Sequence, residues 1–263
     1  RFILGNLSDF NDKNKVEFND QVELDKWIIN ETKILQKEIT ALYESYSYHK
    51  ATQKIHNFCV NELGGIYLDI VKDRLYTCKN DSLARRSCQT SLDFILNVLV
   101  RLIAPILSYT AEEIWQTSDR LNHQEKSVFL SNFDTFKIEL ESSINQSEWK
   151  RIFEIKDAVN QSIEEMRNDN KLKGSLDSVV NIQATSNDFQ ILNKLGDELH
   201  FLFISSEAKV KEGNTFKIKV TTSKNAKCVR CWHRDSSVGS IQEHPELCNS
   251  CLLYTSPSPR DCQ

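Results

Sequence analysis

The feature that most constrains this chain is a pair of Cys-x-x-Cys motifs near its end, in the stretch KCVRCWHRDSSVGSIQEHPELCNSC. Sixteen residues separate the pair Cys228/Cys231 from the pair Cys248/Cys251. Each Cys-x-x-Cys turn lets two thiolates converge on one ion, and Zn²⁺ prefers four such soft ligands in a tetrahedron. The spacing therefore predicts one closed, structural zinc site that leaves no position open for a substrate.

Disulfides and redox motifs are the other interpretations of these cysteines. Eight cysteines indicate a disulfide scaffold in a short, loop-rich chain, but this chain has 263 residues and a strongly helical pattern. Redox motifs would need a thioredoxin-like context, which the sequence lacks. Cys59 and Cys88 lie in apolar helical stretches, so we interpret them as small packing residues in a reducing compartment. His233 and His244 could compete as ligands, although four cysteines already saturate the ion.

Composition limits the class of protein. The chain is 40% hydrophobic and 27% charged, which is typical of a globular protein with two or three domains. A net charge of −4 excludes a globally basic protein but allows nucleic-acid binding through a local patch. No apolar run is long enough to span a bilayer, and we expect a cytoplasmic protein without a membrane partner. The chain begins at Arg1, inside an apolar segment, so we expect a piece of a longer protein.

The first half of the sequence has helical periodicity. Apolar residues recur at helical spacing over residues 22–46, with Tyr46 on the apolar stripe, and over residues 51–63, where Gly64-Gly65 is expected to end the helix. A long helix is predicted from Ser82 to about Ile103 and ends at Pro105. Thr110 to Glu113 is interpreted as a capping box that opens the next helix. Short connections then favour an antiparallel helical bundle.

The second half changes period. A helix is predicted over residues 148–168, followed by strands in SVVNIQAT, HFLFISS and TFKIKVTT, with a short helix over 188–195 between the first two. The predicted fold is mainly α, with a small α/β unit and a four-cysteine zinc finger. The expected domains are a helical bundle over 1–146, a helix with an α/β subdomain over 147–222, a zinc module over 223–251 and a non-native Ser/Pro-rich tail over 252–263.

Several blocks of the sequence resemble a known family. YLDIVKDRLY, ARRSCQT and LVRLIAPILSYTAEEIW resemble the anticodon-binding helical domain of class I aminoacyl-tRNA synthetases. LHFLFISSEAKV and the cysteine module resemble the zinc-binding end of the bacterial isoleucyl-tRNA synthetase family. The valyl and leucyl relatives share the helical domain but do not end in this module. The resemblance covers nearly the whole chain up to Cys251, although the HIGH and KMSKS signatures of the nucleotide-binding fold are absent from it.

The resemblance implies a division of labour. The parent enzyme would attach isoleucine to tRNA(Ile) with ATP, and this part would hold the anticodon region as a monomer, without catalytic residues and without binding DNA. The predicted tRNA-binding residues are basic clusters and the zinc knuckle: Lys72, Arg74, Arg85, Arg86, Arg230, Trp232 and Arg234. Cations pair with phosphates and an exposed indole stacks on bases.

A purely structural role, without RNA contact, is also possible for these residues. Arg74 could pair within its helix with Asp69 or Asp73, and Arg85 and Arg86 could form a solvated helix face. Trp232 could pack over the zinc knuckle instead of stacking on RNA. For the whole chain, the alternatives are a zinc-finger DNA-repair glycosylase and a non-enzymatic zinc adaptor. The glycosylase would need a catalytic amine at a native N-terminus.

Overall fold

The computed structural model describes residues 1–118, 121, 125–133, 142–240 and 242–252. Two compact units divide the chain: Arg1–Asp69 with Asp81–Ser142, here the helical unit, and Ile70–Asn80 with Ser143–Gln263, here the second unit. No helix of the described residues is long and apolar enough to cross a membrane. The residues expected to form a non-native tail lie, from 253 onward, outside the described ranges.

The helices and strands follow each other along the chain as α1 (Phe2–Asn6), α2 (Glu23–Glu44), α3 (Tyr48–Phe58), α4 (Leu68–Thr77), α5 (Leu83–Ile103), α6 (Ser108–Thr117), α7 (Gln146–Asn168), β1 (Ser178–Ala184), α8 (Ser186–Asn193), α9 (Leu199–Leu202), β2 (Glu207–Glu212), β3 (Lys217–Thr222) and α10 (Asn249–Leu252). This order confirms the predicted fold class, a mainly helical chain with a small α/β unit and a four-cysteine module at its end.

In the helical unit, α2 and α5 pack on each other, as do α2 and α3, and α5 and α6. Their apolar stripes meet in a core whose side chains are completely inaccessible to solvent, among them Ile28, Ile39, Leu92, Ile95 and Leu102. Burying each such side chain contributes roughly 1.5–3 kcal/mol. Most of the predicted apolar stripes of α2 and α5 are buried, although α5 also buries residues outside its stripe, such as Asp93 and Val98.

A buried polar cluster joins α2 to its neighbours. Asp25 is 0% exposed and accepts hydrogen bonds from the Tyr67 hydroxyl at 2.7 Å and the Ser87 hydroxyl at 2.5 Å. Cys88, also 0% exposed, lies 3.6 Å from the Tyr67 hydroxyl, which confirms it as a packing residue. The same prediction was wrong for Cys59, which is exposed. Buried polar groups of this kind are stable only when they are hydrogen-bonded.

The Gly64-Gly65 prediction was wrong, because the helix does not end there. Wide π-helical turns over Cys59–Tyr67 carry α3 directly into α4. A Cβ on Gly64 would lie 2.8 Å from the Cys59 carbonyl oxygen, and one on Gly65 would lie 3.1 Å from the Val60 oxygen. The two glycines thus permit the close backbone approach of a π-helical segment instead of ending a helix.

Two further expectations for the helical unit were wrong. α6 begins at Ser108, two residues before Thr110, and no side chain caps it, so the predicted capping box is absent. Tyr46 does not join the core, because it follows the end of α2 and is 81% exposed. The predicted α5 is confirmed, with Ser82 as its N-cap and its last residue, Ile103, just before Pro105.

The second unit is built on a three-stranded sheet with the order β2-β1-β3. The central strand β1 pairs parallel with β2, placing Ile182 opposite Val210, and antiparallel with β3, placing it opposite Ile218. The predicted strand HFLFISS was wrong. Leu199, Leu202 and Phe203 are buried at helical spacing and form α9 and the turn after it, so the second strand begins only at Glu207.

The helix α7 begins with a capping box. The Asn145 side chain accepts a hydrogen bond from the Glu148 amide at 2.9 Å, and the Glu148 carboxylate accepts one from the Asn145 amide at 2.9 Å. The Lys194 ammonium donates to the same carboxylate at 2.7 Å and, with the Asn145 amide, lowers the pKa of Glu148. The helix predicted from residue 148 therefore begins two residues earlier, at Gln146, directly after its cap.

Candidate metal centre and nucleic-acid interface

Cys228, Cys231, Cys248 and Cys251 come together in the second unit. All four are buried, and their sulfur atoms lie within 4.8 Å of one another. The sulfurs of Cys231 and Cys248 are 3.7 Å apart, close to the edge of about 3.8 Å expected for a tetrahedron with Zn–S bonds of about 2.3 Å. Every cysteine in the described part of the chain is a free thiol, so the disulfide alternative was wrong. The donor set fits one structural zinc ion.

Backbone hydrogen bonds shape the zinc knuckle. The Cys228 amide donates to the His233 carbonyl at 2.9 Å, and the Trp232 amide donates to the Cys228 carbonyl at 3.0 Å. Across the module, the Cys248 amide donates to the Cys228 sulfur at 3.5 Å. Amide donors of this kind stabilise thiolate ligands, because they partly neutralise negative charge on sulfur.

The four thiols influence one another's protonation. Hydrogen bonds from Cys231 and Cys251 lower the pKa of the Cys248 thiol, whereas the hydrogen bond to Cys248 raises the pKa of Cys231. One thiolate is therefore favoured at the expense of its neighbours. These four cysteines would hold Zn²⁺ as thiolates, because the bound ion would favour deprotonation of every coordinating thiol.

Trp232 projects outward from the knuckle. Its side chain is 51% exposed, and its backbone has a φ of 67°, a conformation that bulky residues rarely adopt. Within the described part of the chain, Val238 and Leu247 are the partly buried apolar residues that pack against the cysteine cluster. The Lys227 ammonium lies 5.7 Å from the centre of the indole ring, within range of a cation–π contact.

Arg234 does not face outward with Trp232. Its Nε donates to Asp177 Oδ1 at 2.6 Å, its Nη1 donates to the Asn225 carbonyl at 3.1 Å, and its backbone amide donates to the Ser206 hydroxyl at 2.7 Å. Asp177 is 3% exposed, so breaking this pair would leave a buried charge. The structure therefore assigns Arg234 to holding the module together, and its guanidinium is engaged within the protein instead of being presented to RNA phosphate as predicted.

His233 is a second link inside the same unit. Its Nε2 lies 2.8 Å from Asp73 Oδ2 on α4, and its ring stands edge-on to His200 with centroids 6.2 Å apart. Burial lowers the pKa of His200 and favours its neutral form. No sequence signal pointed to His200 or Asp177, because their partners lie far away along the chain.

The other predicted residues divide by exposure. Lys72 is exposed and Arg230 is half-buried, whereas Arg74 is only 2% exposed and lies in the interior. Arg85 is 9% exposed, and its guanidinium lies 3.1 Å from the Asp9 carboxylate. The structure therefore gives Arg74 and Arg85 interior positions that RNA phosphate cannot reach without rearrangement.

Arg86 shares the Asp9 carboxylate. Its Nη1 lies 3.4 Å from Asp9 Oδ2 and donates to the Gln89 side chain at 2.7 Å. Burial acts to raise the pKa of Asp9, but the positive charges of Arg85 and Arg86 and the Gln89 hydrogen bond outweigh it, so the net pKa is lowered. The partner of this basic cluster is therefore an acidic residue from the start of the chain, which the sequence pattern did not reveal.

Two family models match the chain. Residues 25–182 match the anticodon-binding domain of tRNA ligase, and residues 226–252 match the zinc finger found in FPG and IleRS. Together they cover most of α2, the chain from there through α7, most of β1, and all four cysteines.

Curated relatives extend these matches. The chain is 42% identical to an isoleucine–tRNA ligase of Legionella pneumophila (strain Paris), 41% to one of Teredinibacter turnerae and 42% to one of Pseudomonas entomophila, each over 96% of this chain. The chain spans 28% of the length of each relative. By the match over residues 25–182, this chain belongs to the family of anticodon-binding domains of tRNA ligases, and it carries a structural zinc finger behind that domain.

Proposed function

We propose that this chain is the tRNA-binding C-terminal part of an isoleucine–tRNA ligase. The observation that carries the proposal is the combination, in one chain, of the anticodon-binding domain with a closed four-cysteine zinc finger. The zinc-finger match alone names two protein types, and the domain before it favours the ligase over the glycosylase. The parent enzyme would activate isoleucine with ATP and transfer it to tRNA(Ile). Both of these steps would occur in domains outside this chain.

The proposed role of this part is to hold the anticodon region. We propose residues 1–146 as the anticodon-binding bundle, 147–222 as the α/β subdomain and 223–251 as the zinc module. The protein would act as a monomer in the cytoplasm. Zn²⁺, when bound, would crosslink the two knuckles, and the side chains that the knuckles display would contact the RNA.

Trp232 is the proposed base-stacking residue of the zinc module. Trp232 is 51% exposed, whereas Val238 and Leu247 are partly buried and pack against the cysteine cluster. Lys227 beside the ring would neutralise a phosphate of the same nucleotide. Among the predicted cations, Lys72 and Arg230 keep the proposed role in phosphate binding, and Arg86 keeps it at the edge of its cluster with Asp9.

A titration with tRNA(Ile) and with a tRNA of unrelated anticodon tests the proposal. We expect the zinc-loaded chain to bind tRNA(Ile) more tightly, and Trp232→Gly to weaken that binding by about 1–3 kcal/mol, the cost of losing one base–aromatic stack. Glycine suits the positive φ at this position, so the knuckle should keep its zinc. Equal affinity for both tRNAs, or binding that ignores Trp232→Gly at unchanged zinc content, would contradict the proposal.

A further inference from the structure

Tyr46, just after the end of α2, occupies a backbone position at which glycine is usual. The Ser47 amide donates to the Leu42 carbonyl at 2.8 Å and the Tyr46 amide donates to the Tyr43 carbonyl at 3.0 Å, the two bonds of a Schellman motif. Tyr46 occupies the left-handed position of that motif, with a φ of 54°. Glycine is usual there, because a Cβ makes this conformation unfavourable, most of all for a bulky residue.

The tyrosine gains little from the fold in return. Its side chain is 81% exposed, and its ring makes an edge-on contact with Tyr48, with centroids 6.3 Å apart. The described part of the chain has four non-glycine residues at positive φ, and two of them, Tyr46 and Trp232, are exposed aromatic rings. Strained backbone beneath a side chain that stays mostly exposed points to a functional side chain.

Tyr46 belongs to a chain of ring contacts that we call the tyrosine ladder. The ladder consists of Tyr43, Tyr46, Tyr48 and Phe133. Tyr43 stacks against Phe133 at 6.3 Å and contacts Tyr48 at 5.6 Å. The Tyr43 hydroxyl donates to the Leu102 carbonyl at 2.6 Å, and burial raises the pKa of Tyr43 to about 12. Tyr43 is thus fixed to the bundle, whereas Tyr48 is partly exposed and Tyr46 is the most exposed ring of the ladder.

We propose that Tyr46 is a second base-stacking residue, on the helical unit, that binds an unpaired nucleobase of the tRNA. This inference rests on the proposed tRNA-binding function. The exposed part of the ladder, Tyr46 with the 45% exposed Tyr48 beside it, is too small for a protein interface, which buries roughly 800 Å² on each partner, but the Tyr46 ring matches the face of one base. Lys50, exposed on the first turn of α3, lies on the same chain segment and provides a cation for the adjoining phosphate.

Tyr46→Gly is the decisive variant, because stability and binding should move in opposite directions. Glycine relieves the left-handed backbone, so the melting temperature of the helical signal should rise by about 2–4 °C. The same change removes the ring, so affinity of the zinc-loaded chain for tRNA(Ile) should fall about 5- to 150-fold. The slope of log affinity against log salt should stay unchanged, because no phosphate contact is lost.

Two variants serve as controls. Tyr46→Phe keeps the ring and loses the hydroxyl, so it should bind within about twofold of the parent if stacking carries the contact. Phe129→Ala removes another aromatic side chain of the helical unit, 57% exposed on an ordinary backbone, and should leave affinity unchanged. As a direct readout, tRNA(Ile) carrying 5-iodouridine in the anticodon loop should photo-crosslink to Tyr46.

The outcomes separate the two proposals. If the parent binds tRNA(Ile) and Trp232→Gly weakens it, while Tyr46→Gly only raises the melting temperature, the inference about Tyr46 is overturned and the proposed function stands. If the parent does not bind tRNA, both are overturned. Loss of binding in Tyr46→Phe equal to that in Tyr46→Gly would also overturn stacking, since the hydroxyl would then make the contact.

Discussion

The zinc module and the helical unit achieve stability by different means. The helical unit buries long apolar stripes of α2 and α5 against each other, so the burial of its own apolar side chains stabilises it. The zinc module has four cysteines with only Val238 and Leu247 packed on them among the described residues. So small an apolar cluster cannot offset the entropy of ordering the module, and the metal must supply the difference. Folding of the module should therefore depend on zinc, whereas folding of the bundle should not.

Removing zinc should have the largest effect. Structural zinc sites contribute about 10–16 kcal/mol of apparent binding energy, so a chelator or Cys248→Ser should unfold the module. The far-ultraviolet circular dichroism of the helices should change little, since the bundle has no metal ligands among its described residues. Metal analysis should give about one zinc per chain. An ordered module in zinc-free protein would contradict the zinc dependence of the module. Loss of the helical signal on chelation would contradict the zinc independence of the bundle.

A cavity in the bundle tests the other side of the contrast. Leu92 on α5 is 0% exposed, so Leu92→Ala should cost about 2–5 kcal/mol in the free energy of unfolding of the helical unit. The control is Leu83→Ala, at the start of the same helix and 57% exposed, which should stay within about 0.5 kcal/mol of the parent. Zinc content should be unchanged in both. If the two variants melt alike, the described α2–α5 core does not determine stability.

Arg234 tests a second source of stability in the zinc module. Its hydrogen bond to Asp177, just before β1, connects the module to the sheet, which the cysteines alone do not do. Arg234→Ala removes the charge-assisted hydrogen bond to Asp177 and the bond to the Asn225 carbonyl, and should cost about 1.5–3 kcal/mol. We expect faster zinc release to a chelator and an unchanged salt dependence of tRNA binding. Arg167→Ala is the matched control, because its partner Glu164 is 55% exposed. If the affinity of Arg234→Ala for tRNA depended less steeply on salt than that of the parent, Arg234 would contact RNA phosphate after all.

The Asp9 cluster gives the helical unit a pH signature of smaller size. The folded-state pKa of Asp9 is lowered from its ordinary value of 3.8, so its stabilising effect is present above that pH and is lost as pH falls through the folded pKa. The gap in melting temperature between the parent and Asp9→Asn should shrink on acidification from about pH 6 to about pH 3. Parallel curves over this range would show that the carboxylate is not stabilised by Arg85 and Arg86.

The candidate site was predictable where its signal is local. Four cysteines in two short turns suffice to predict a zinc site, because each turn already brings its own pair of ligands together. The roles of Arg230, Trp232 and Arg234 were not separable by spacing. Trp232 faces solvent and Arg234 binds Asp177, 57 residues earlier in the chain, so their different roles depend on a long-range partner.

The fold shows the same division. Helical periodicity predicted α2, α5 and α7 within two residues, because burial of one stripe requires that spacing. The same reasoning was wrong at Gly64-Gly65 and at HFLFISS. In both places the competing signals, glycine as a helix end and β-branched or aromatic residues as a strand, are weak preferences that packing overrides.

The sequence by itself determined the zinc ligands, the helical first half and the family to which the chain belongs, since each depends on residues close together in the chain. Only the tertiary structure decided which charged groups are available to a partner. Arg74 and Arg85 look on paper like surface cations, yet one is 2% exposed and the other lies against Asp9. The reason is physical: a charge pattern specifies the residue type, but burial and pairing depend on which distant segments fold against it.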